Sequence, residues 1–215
     1  LSGASALDVY FAELMQARRK VPQDDLVTDM VQMQASGEAK IEDDEVCLNL
    51  QALLVGGNLT TTDLIGNGVW LLLTHPQQAA ALRANPDLAA QAVEEVLRYE
   101  APVQVTSRIV EKDRTVAGCP MQKSQPVFMS LAAANRDPDV FEAPQAFDIT
   151  KKRPSHIAFG GGPHICIGAP LARIEARHAF LKLLARYPNL QLPEQDLTWR
   201  TLPFFRGLEK LVVEG

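Results

Sequence analysis

Phe159-Gly160-Gly161-Gly162-Pro163-His164-Ile165-Cys166-Ile167-Gly168 sets one thiol behind a glycine-rich turn and just ahead of Ala169-Pro170, where a helix opens. A cysteine at a helix N-terminus feels the helix dipole and nearby N–H donors, and both favour the thiolate over the thiol. Pro170 suits the first helical turn, where its missing N–H costs nothing. The glycines admit backbone conformations closed to other residues and let a large flat partner approach the main chain. Together these features describe a soft anionic ligand held rigidly under something planar, for which haem iron is the obvious candidate.

Other readings compete for the same stretch. A phosphate cradle would need a Gly-Lys-Ser/Thr continuation or dinucleotide glycine spacing, and neither is present. His164 and Cys166, with His156 and His178, contain no paired Cys-x-x-Cys or His-x-x-x-His ligands of the kind a structural zinc takes. A buried structural thiol is what most intracellular cysteines are. The stretch alone does not separate that reading from a haem ligand.

Two further stretches do. Phe159, Gly162, Cys166 and Gly168 form Phe-x-x-Gly-x-x-x-Cys-x-Gly, which resembles the haem-binding signature of the cytochrome P450 family. Glu95-Val96-Leu97-Arg98 resembles that family's Glu-x-x-Arg pair, and Gly56-Gly57-Asn58-Leu59-Thr60-Thr61 resembles its oxygen-activation motif. The motifs occur in the family's order, and the resemblance covers essentially the whole chain. It is to the C-terminal portion of the soluble bacterial type, so residues 1–215 are expected to be part of a single such domain.

The resemblance implies a fold, a cofactor and a reaction. The fold is α+β and mainly helical, with one long central helix and small antiparallel sheets. The cofactor is haem b (iron protoporphyrin IX), with Cys166 as the ligand to the metal. Phe159, Gly162 and Gly168 would shape the cysteine loop, while His164 and Arg108 would hold haem propionates. Gly56 and Gly57 would let haem and dioxygen lie against the long helix, and Thr60 would hydrogen-bond the oxygen or its water. Val103–Thr106 would line the substrate pocket. The implied activity is insertion of one oxygen atom from O2 into a small apolar substrate, with electrons from a ferredoxin-type donor. Two alternatives remain at this stage: a non-catalytic fragment that binds haem weakly or not at all, and a longer protein acting as peroxygenase or isomerase.

Composition sets outer bounds. The 215 residues are 47% hydrophobic and 22% charged, ordinary values for a chain that buries a core. A net charge of −5 argues against nucleic acid as the main partner. Three cysteines, Cys47, Cys119 and Cys166, form no disulfide framework and suit a cytoplasmic setting. The apolar stretch Val46–Leu73 is interrupted by Asn49, Gln51, Asn58, Asp63 and Asn67 and does not read as a membrane span. Leu1 is not an initiator methionine, and the chain reads as a fragment.

Local patterns predict the elements. Ala6–Lys20 carries an apolar stripe at Leu7, Tyr10, Phe11, Leu14 and Met15, and Asp24–Gln34 repeats it with Leu26, Met30 and Met33 before a stop at Gly37. Ile41–His75 opens on an acidic run and continues without proline as one long helix. Its glycines cost on the order of 1 kcal/mol each, which points either to tight helix packing or to a flat ligand. A further helix runs to Arg83, and Asn85-Pro86-Asp87 caps one over Asp87–Tyr99. Val103–Lys112 and Val127–Ala134 read as strands, followed by an irregular segment to Pro154. Pro170–Arg186 reads as a helix burying Ala172, Ala176, Ala179, Phe180, Leu183 and Leu184. Its Arg173 and Arg177 are expected at an exposed edge, where they could meet an acidic electron donor.

Two departures from the family pattern stand out. Leu59 sits where an acidic residue usually precedes Thr60, which leaves proton delivery to Asp63, if that residue faces the pocket. Ala146 sits where a third polar residue usually joins Glu95 and Arg98, which leaves the set either incomplete or completed by Arg136.

Overall fold

The computed structural model describes residues 3–215. They form two compact units, divided between Leu59 and Thr60, and the long helix α3 (Asp43–Thr74) contains the division.

In the first unit α1 (Gly3–Lys20) and α2 (Leu26–Ser36) precede the start of α3 (Asp43–Thr74). The helix starts and stops follow the capping chemistry. Asp25 is the N-cap of α2 and accepts the Thr28 N–H at 2.9 Å, and Gly37 ends the helix at φ +77°. Asp43, Asp44 and Glu45 occupy the first turn of α3, where the dipole favours negative charge. Phe11, Met15, Val27, Val31, Val46 and Leu50 make this unit's core. The buried face of α2 differs from the expected stripe. Val27 and Val31 point inward, while Leu26 and Met33 are exposed, so the apolar positions on this helix outnumber those its neighbours can cover.

The second unit holds the remainder of α3, then α4 (Pro76–Ala84), a 3-10 turn at Pro86–Leu88 and α5 (Ala89–Tyr99). Asn85 accepts the Asp87 N–H at 3.2 Å, the expected cap, but the first turn is 3-10 and the α-helix begins at Ala89. Ala89, Ala92, Val93, Val96 and Leu97 give α5 a continuous buried stripe. That stripe shares a core with Leu64, Leu71 and Leu72 of α3 and with Ala176 and Phe180 of α7 (Ala169–Arg186). At Gly68 a Cβ would stand 2.2 Å from the Phe180 ring, so this glycine of the long helix serves tight packing. Ala172 and Leu183 of α7 are half-buried against the same core, less deeply than their spacing implied.

Two small antiparallel sheets lie outside the helices. Strand β1 (Val105–Ile109) pairs with β4 (Pro126–Ser130), Val105 opposite Ser130 and Ile109 opposite Pro126. Strands β2 (Arg114–Val116) and β3 (Cys119–Met121) form a hairpin closed by Ala117 and Gly118, both at positive φ. The strand expected over Val127–Ala134 ends at Ser130. Its hydroxyl accepts the Ala133 N–H at 3.1 Å and starts the short α6 (Leu131–Ala134), a cap that outweighs the apolar run after it. The C-terminal segment turns back at Trp199–Leu208, and Arg206 lies 3.7 Å above the Trp199 ring. Phe204, at φ +70°, and Phe205 form the tip, where Phe205 bridges to Val103 and Phe204 stacks on Phe128.

Candidate functional site

The cysteine loop leaves the irregular segment at Phe159 and enters α7 at Ala169. The Cys166 N–H donates to the Phe159 carbonyl at 3.0 Å and closes the loop on itself. Gly160 and Gly162 hold φ +72° and +70°, a region that penalises any side chain, so these two glycines are required by the turn. Gly168 meets a milder demand, since a Cβ there would lie 3.8 Å from Cys166 Sγ. Cys166 is exposed, as is His164, and the flanking Ile165 and Ile167 expose 60% and 85% of their surface. A buried structural thiol is therefore not what this cysteine is.

The donor set tests what could bind here. Among the described residues no three His, Cys, Asp or Glu side chains gather to hold a metal, so the loop cannot encage one by itself. A lone sulfur ligand suits a metal that arrives with its other ligands already in place. The isoleucines beside it call for a broad apolar cover. A haem supplies both, and the loop fits it.

The other candidate site residues lie each within its own unit. Arg108 is exposed on β1; its Nη1 donates to the Ser107 carbonyl at 2.8 Å, and it pairs with no carboxylate among the described residues. It is thus available to a propionate-like anion. Gly56 and Gly57 lie in α3, where a Cβ on either would meet nothing within 4 Å. Tight helix packing does not explain them, and the open space at both suits a flat ligand. Exposed Leu53, Leu54 and Val55 lead into this stretch. Thr60 is half-buried one turn beyond Gly56.

Asp63 does not stand in for the missing acid. It is 2% exposed, ion-paired with Arg200 and packed against Gly207, where a Cβ would collide with its carboxyl. Burial pushes its carboxyl up, against the opposing pull of Arg200. Together with Asn67, which donates to the Glu100 and Arg206 carbonyls at 3.2 and 2.9 Å, it fastens α3 to the C-terminal segment.

Behind the loop, Glu95 and Arg98 form the expected buried pair, with both carboxylate oxygens accepting at 2.8 Å. Arg136 does not complete it. That residue instead donates to the Tyr99 carbonyl and to Gln145 Oε1. The third member is Arg153, 7% exposed at its side chain, with Nε 3.0 Å from Glu95 Oε2. Arg98 also donates to the Ala146 carbonyl, so main chain occupies the place where a polar side chain was sought.

The arginines of α7 also part company. Arg177 is exposed, but Arg173 is held bidentately by Glu94 at 2.6 and 3.0 Å and lies 4.6 Å over the Phe159 ring. It is engaged by Glu94, with 39% of its side chain still exposed. Burial alone would push the Glu94 carboxyl up, but bonds from His156 and Arg173 overcome that and hold it down at about 2.

A family model described as Cytochrome P450 matches residues 5–205. The chain belongs to the cytochrome P450 family. It is 42% identical over 204 residues to the biotin biosynthesis cytochrome P450 of Bacillus subtilis (strain 168), covering 95% of this chain and 51% of the relative. It is 36% identical over 215 residues to the 6-deoxyerythronolide B hydroxylase of Saccharopolyspora erythraea, covering 98% and 53%. Among solved structures it superposes with a TM-score of 0.89 on P450BioI in complex with an acyl carrier protein ligated to hexadec-9Z-enoic acid. That match is 42% identical and covers 97% of this chain and 53% of the other. The chain thus spans about half the length of the P450s it matches. Its mainly helical fold with small antiparallel sheets is that of the corresponding part of a P450. Among the described residues no helix is long and apolar enough to cross a membrane.

Proposed function

We propose that residues 1–215 form the C-terminal portion of a single P450 domain, and that the full-length protein is a haem-thiolate monooxygenase acting on an apolar small molecule. The observation that carries this reading is the exposed Cys166 thiol in a closed glycine loop, with no cluster of three metal-ligating side chains among the described residues. Haem b held there would supply cleavage of the O–O bond, which a thiolate ligand favours by pushing electron density onto iron.

The chain's own residues do the rest. Phe159 and the loop hydrogen bond fix where the sulfur points. Arg108 and His164, both exposed, would hold the propionates of a haem bound there. Gly56 and Gly57 leave space on α3, and Thr60 Oγ1 holds a water through which protons pass. Val103 to Thr106, half-buried beside the Phe204-Phe205 tip, form the wall on which a substrate rests, with Val103 and Val105 as its apolar positions. The exposed Arg177 remains for an acidic ferredoxin-type electron donor. The relative bound to a fatty-acyl carrier protein makes hexadec-9Z-enoic acid, free and carrier-bound, the first substrate to try. With 18O2, the full-length protein and a ferredoxin system are expected to place one labelled atom in product and the other in water. Product oxygen drawn from water, or no oxidised product from any apolar substrate tested, would count against the reading.

Proton supply sets a second expectation. Leu59 carries no ionisable group, and Asp63 is turned away into its pair with Arg200. Product formed per NAD(P)H consumed should therefore be low, with peroxide making up the difference. Leu59→Asp should raise the ratio severalfold, and Asp63→Asn should leave it unchanged. A fall in the Asp63→Asn ratio would restore that carboxylate to the proton route.

A further inference from the structure

Arg173 and Glu94 stand behind the cysteine loop without touching the sulfur. The Arg173 guanidinium is held twice over: the Glu94 carboxylate accepts from Nε and Nη2, and the Phe159 ring lies 4.6 Å from its central carbon. Glu94 has a further neighbour in His156, whose Nε2 lies 3.2 Å from Oε2 and whose Nδ1 accepts the Ala158 N–H at 3.1 Å. The Phe159 carbonyl, in turn, accepts the Cys166 N–H. Two contacts therefore connect a charged pair to the backbone of the sulfur-bearing residue. Glu94 comes from α5 and Arg173 from α7, so the pair is fixed by two packed helices rather than by the loop.

We propose that Arg173 and Glu94 form an electrostatic tuning pair for the Cys166 sulfur, with Phe159 as the plate that sets their distance. Arg173 supplies positive potential that stabilises negative charge on sulfur and on a haem ligated by it. Glu94 cancels a set fraction of that potential. His156 holds Glu94 in the position where it does so. The Glu94 hydrogen bonds reinforce the charge on Arg173 against the burial that opposes it. Such interactions retain strength because the Phe159 side of the loop is half-buried and screened less than open surface. Both residues are positioning residues, and the inference rests on the reading of Cys166 as the haem ligand.

The test is the midpoint potential of the ferric/ferrous couple in the haem-loaded, full-length protein, measured without substrate at fixed pH and ionic strength. Adding an electron is favoured by nearby positive charge. Arg173→Gln should therefore shift the potential to more negative values. Glu94→Gln leaves the guanidinium uncancelled and should shift it to more positive values. The double variant should return towards wild type, and Arg173→Lys should shift it less than Arg173→Gln. With side chains 39% and 43% exposed, Arg173 and Glu94 can be replaced without emptying the core. Loosening of the loop would admit water in both single variants and move both potentials the same way. Shifts of the same sign, with the thiolate absorption band intact, overturn the tuning pair. Absence of that band in the wild-type protein overturns the ligand reading instead, so the two failures are distinguishable.

Discussion

Cys166→Ser is expected to abolish the strongly red-shifted Soret band of the reduced carbonyl complex in the full-length protein, an all-or-none change. The expectation follows from the scarcity of alternatives. Cys47 is buried, with Sγ 3.8 Å from the Asp8 carbonyl and 3.2 Å from Gln51 Nε2, and Cys119 sits on the two-stranded hairpin β2–β3. Neither shares the closed loop that presents Cys166, so Cys47→Ser and Cys119→Ser should keep the band. Serine at position 166 preserves the loop hydrogen bond, which is made by backbone N–H, and changes only the donor atom. A hydroxyl is a harder and less ionised donor than a thiol, and the thiolate signature has no other source. An unchanged band in Cys166→Ser would show that another group ligates the metal.

The helices were legible because their periods, prolines and caps are local. Gly37 stops α2, Pro76 begins α4 and Asn85 caps the next turn, each within a few residues of the feature it controls. The cysteine loop was legible for the same reason, since all its requirements lie between Phe159 and Pro170. What stayed hidden was pairing across long separations. Arg153 reaches Glu95, Arg173 reaches Glu94, and Arg200 reaches Asp63. In each case the cation sits in a segment whose local pattern also suits solvent, and nothing in the spacing names its partner. Asp63 misled for the opposite reason. Helical spacing put it one turn from Leu59, but a turn of 3.6 residues leaves a four-residue neighbour rotated by about 40°, enough to reach different surroundings. The glycines of α3 divide in the same way. Gly68 serves packing and Gly56 and Gly57 face open space, a distinction that only the position of Phe180 decides.

Arg98→Ala is expected to leave little folded, haem-loaded protein, whereas Arg83→Ala should melt close to wild type. A guanidinium offers five N–H donors, and in Arg98 all five are used. Two go to Glu95, and the others to the carbonyls of Asn135, Pro144 and Ala146. The side chains of Arg98 and Glu95 are only 1% and 3% exposed. Truncation would strand the carbonyls of Asn135 and Pro144, leave the Ala146 carbonyl to Arg153 alone, and leave the Glu95 carboxylate with Arg153 and the Asp148 N–H for support. Breaking a buried pair from one side costs roughly 3–5 kcal/mol. Domains have only about 5–15 kcal/mol in hand, so that loss alone approaches unfolding. The segment released is the one that leads into the cysteine loop, so haem content should fall with stability. Arg83 is the reverse case: its Nε and Nη2 are buried without hydrogen-bond partners, and removing them forfeits no bond. Arg98→Lys separates charge from geometry. Lysine keeps the cation but offers three donors from one point, too few and too compact for five acceptors. It should fail nearly as badly as alanine. Thermal unfolding and haem absorbance per mole of protein measure all three variants together. Equal melting temperatures for Arg98→Ala and Arg83→Ala would show that the five-bond cluster does not hold this part of the fold.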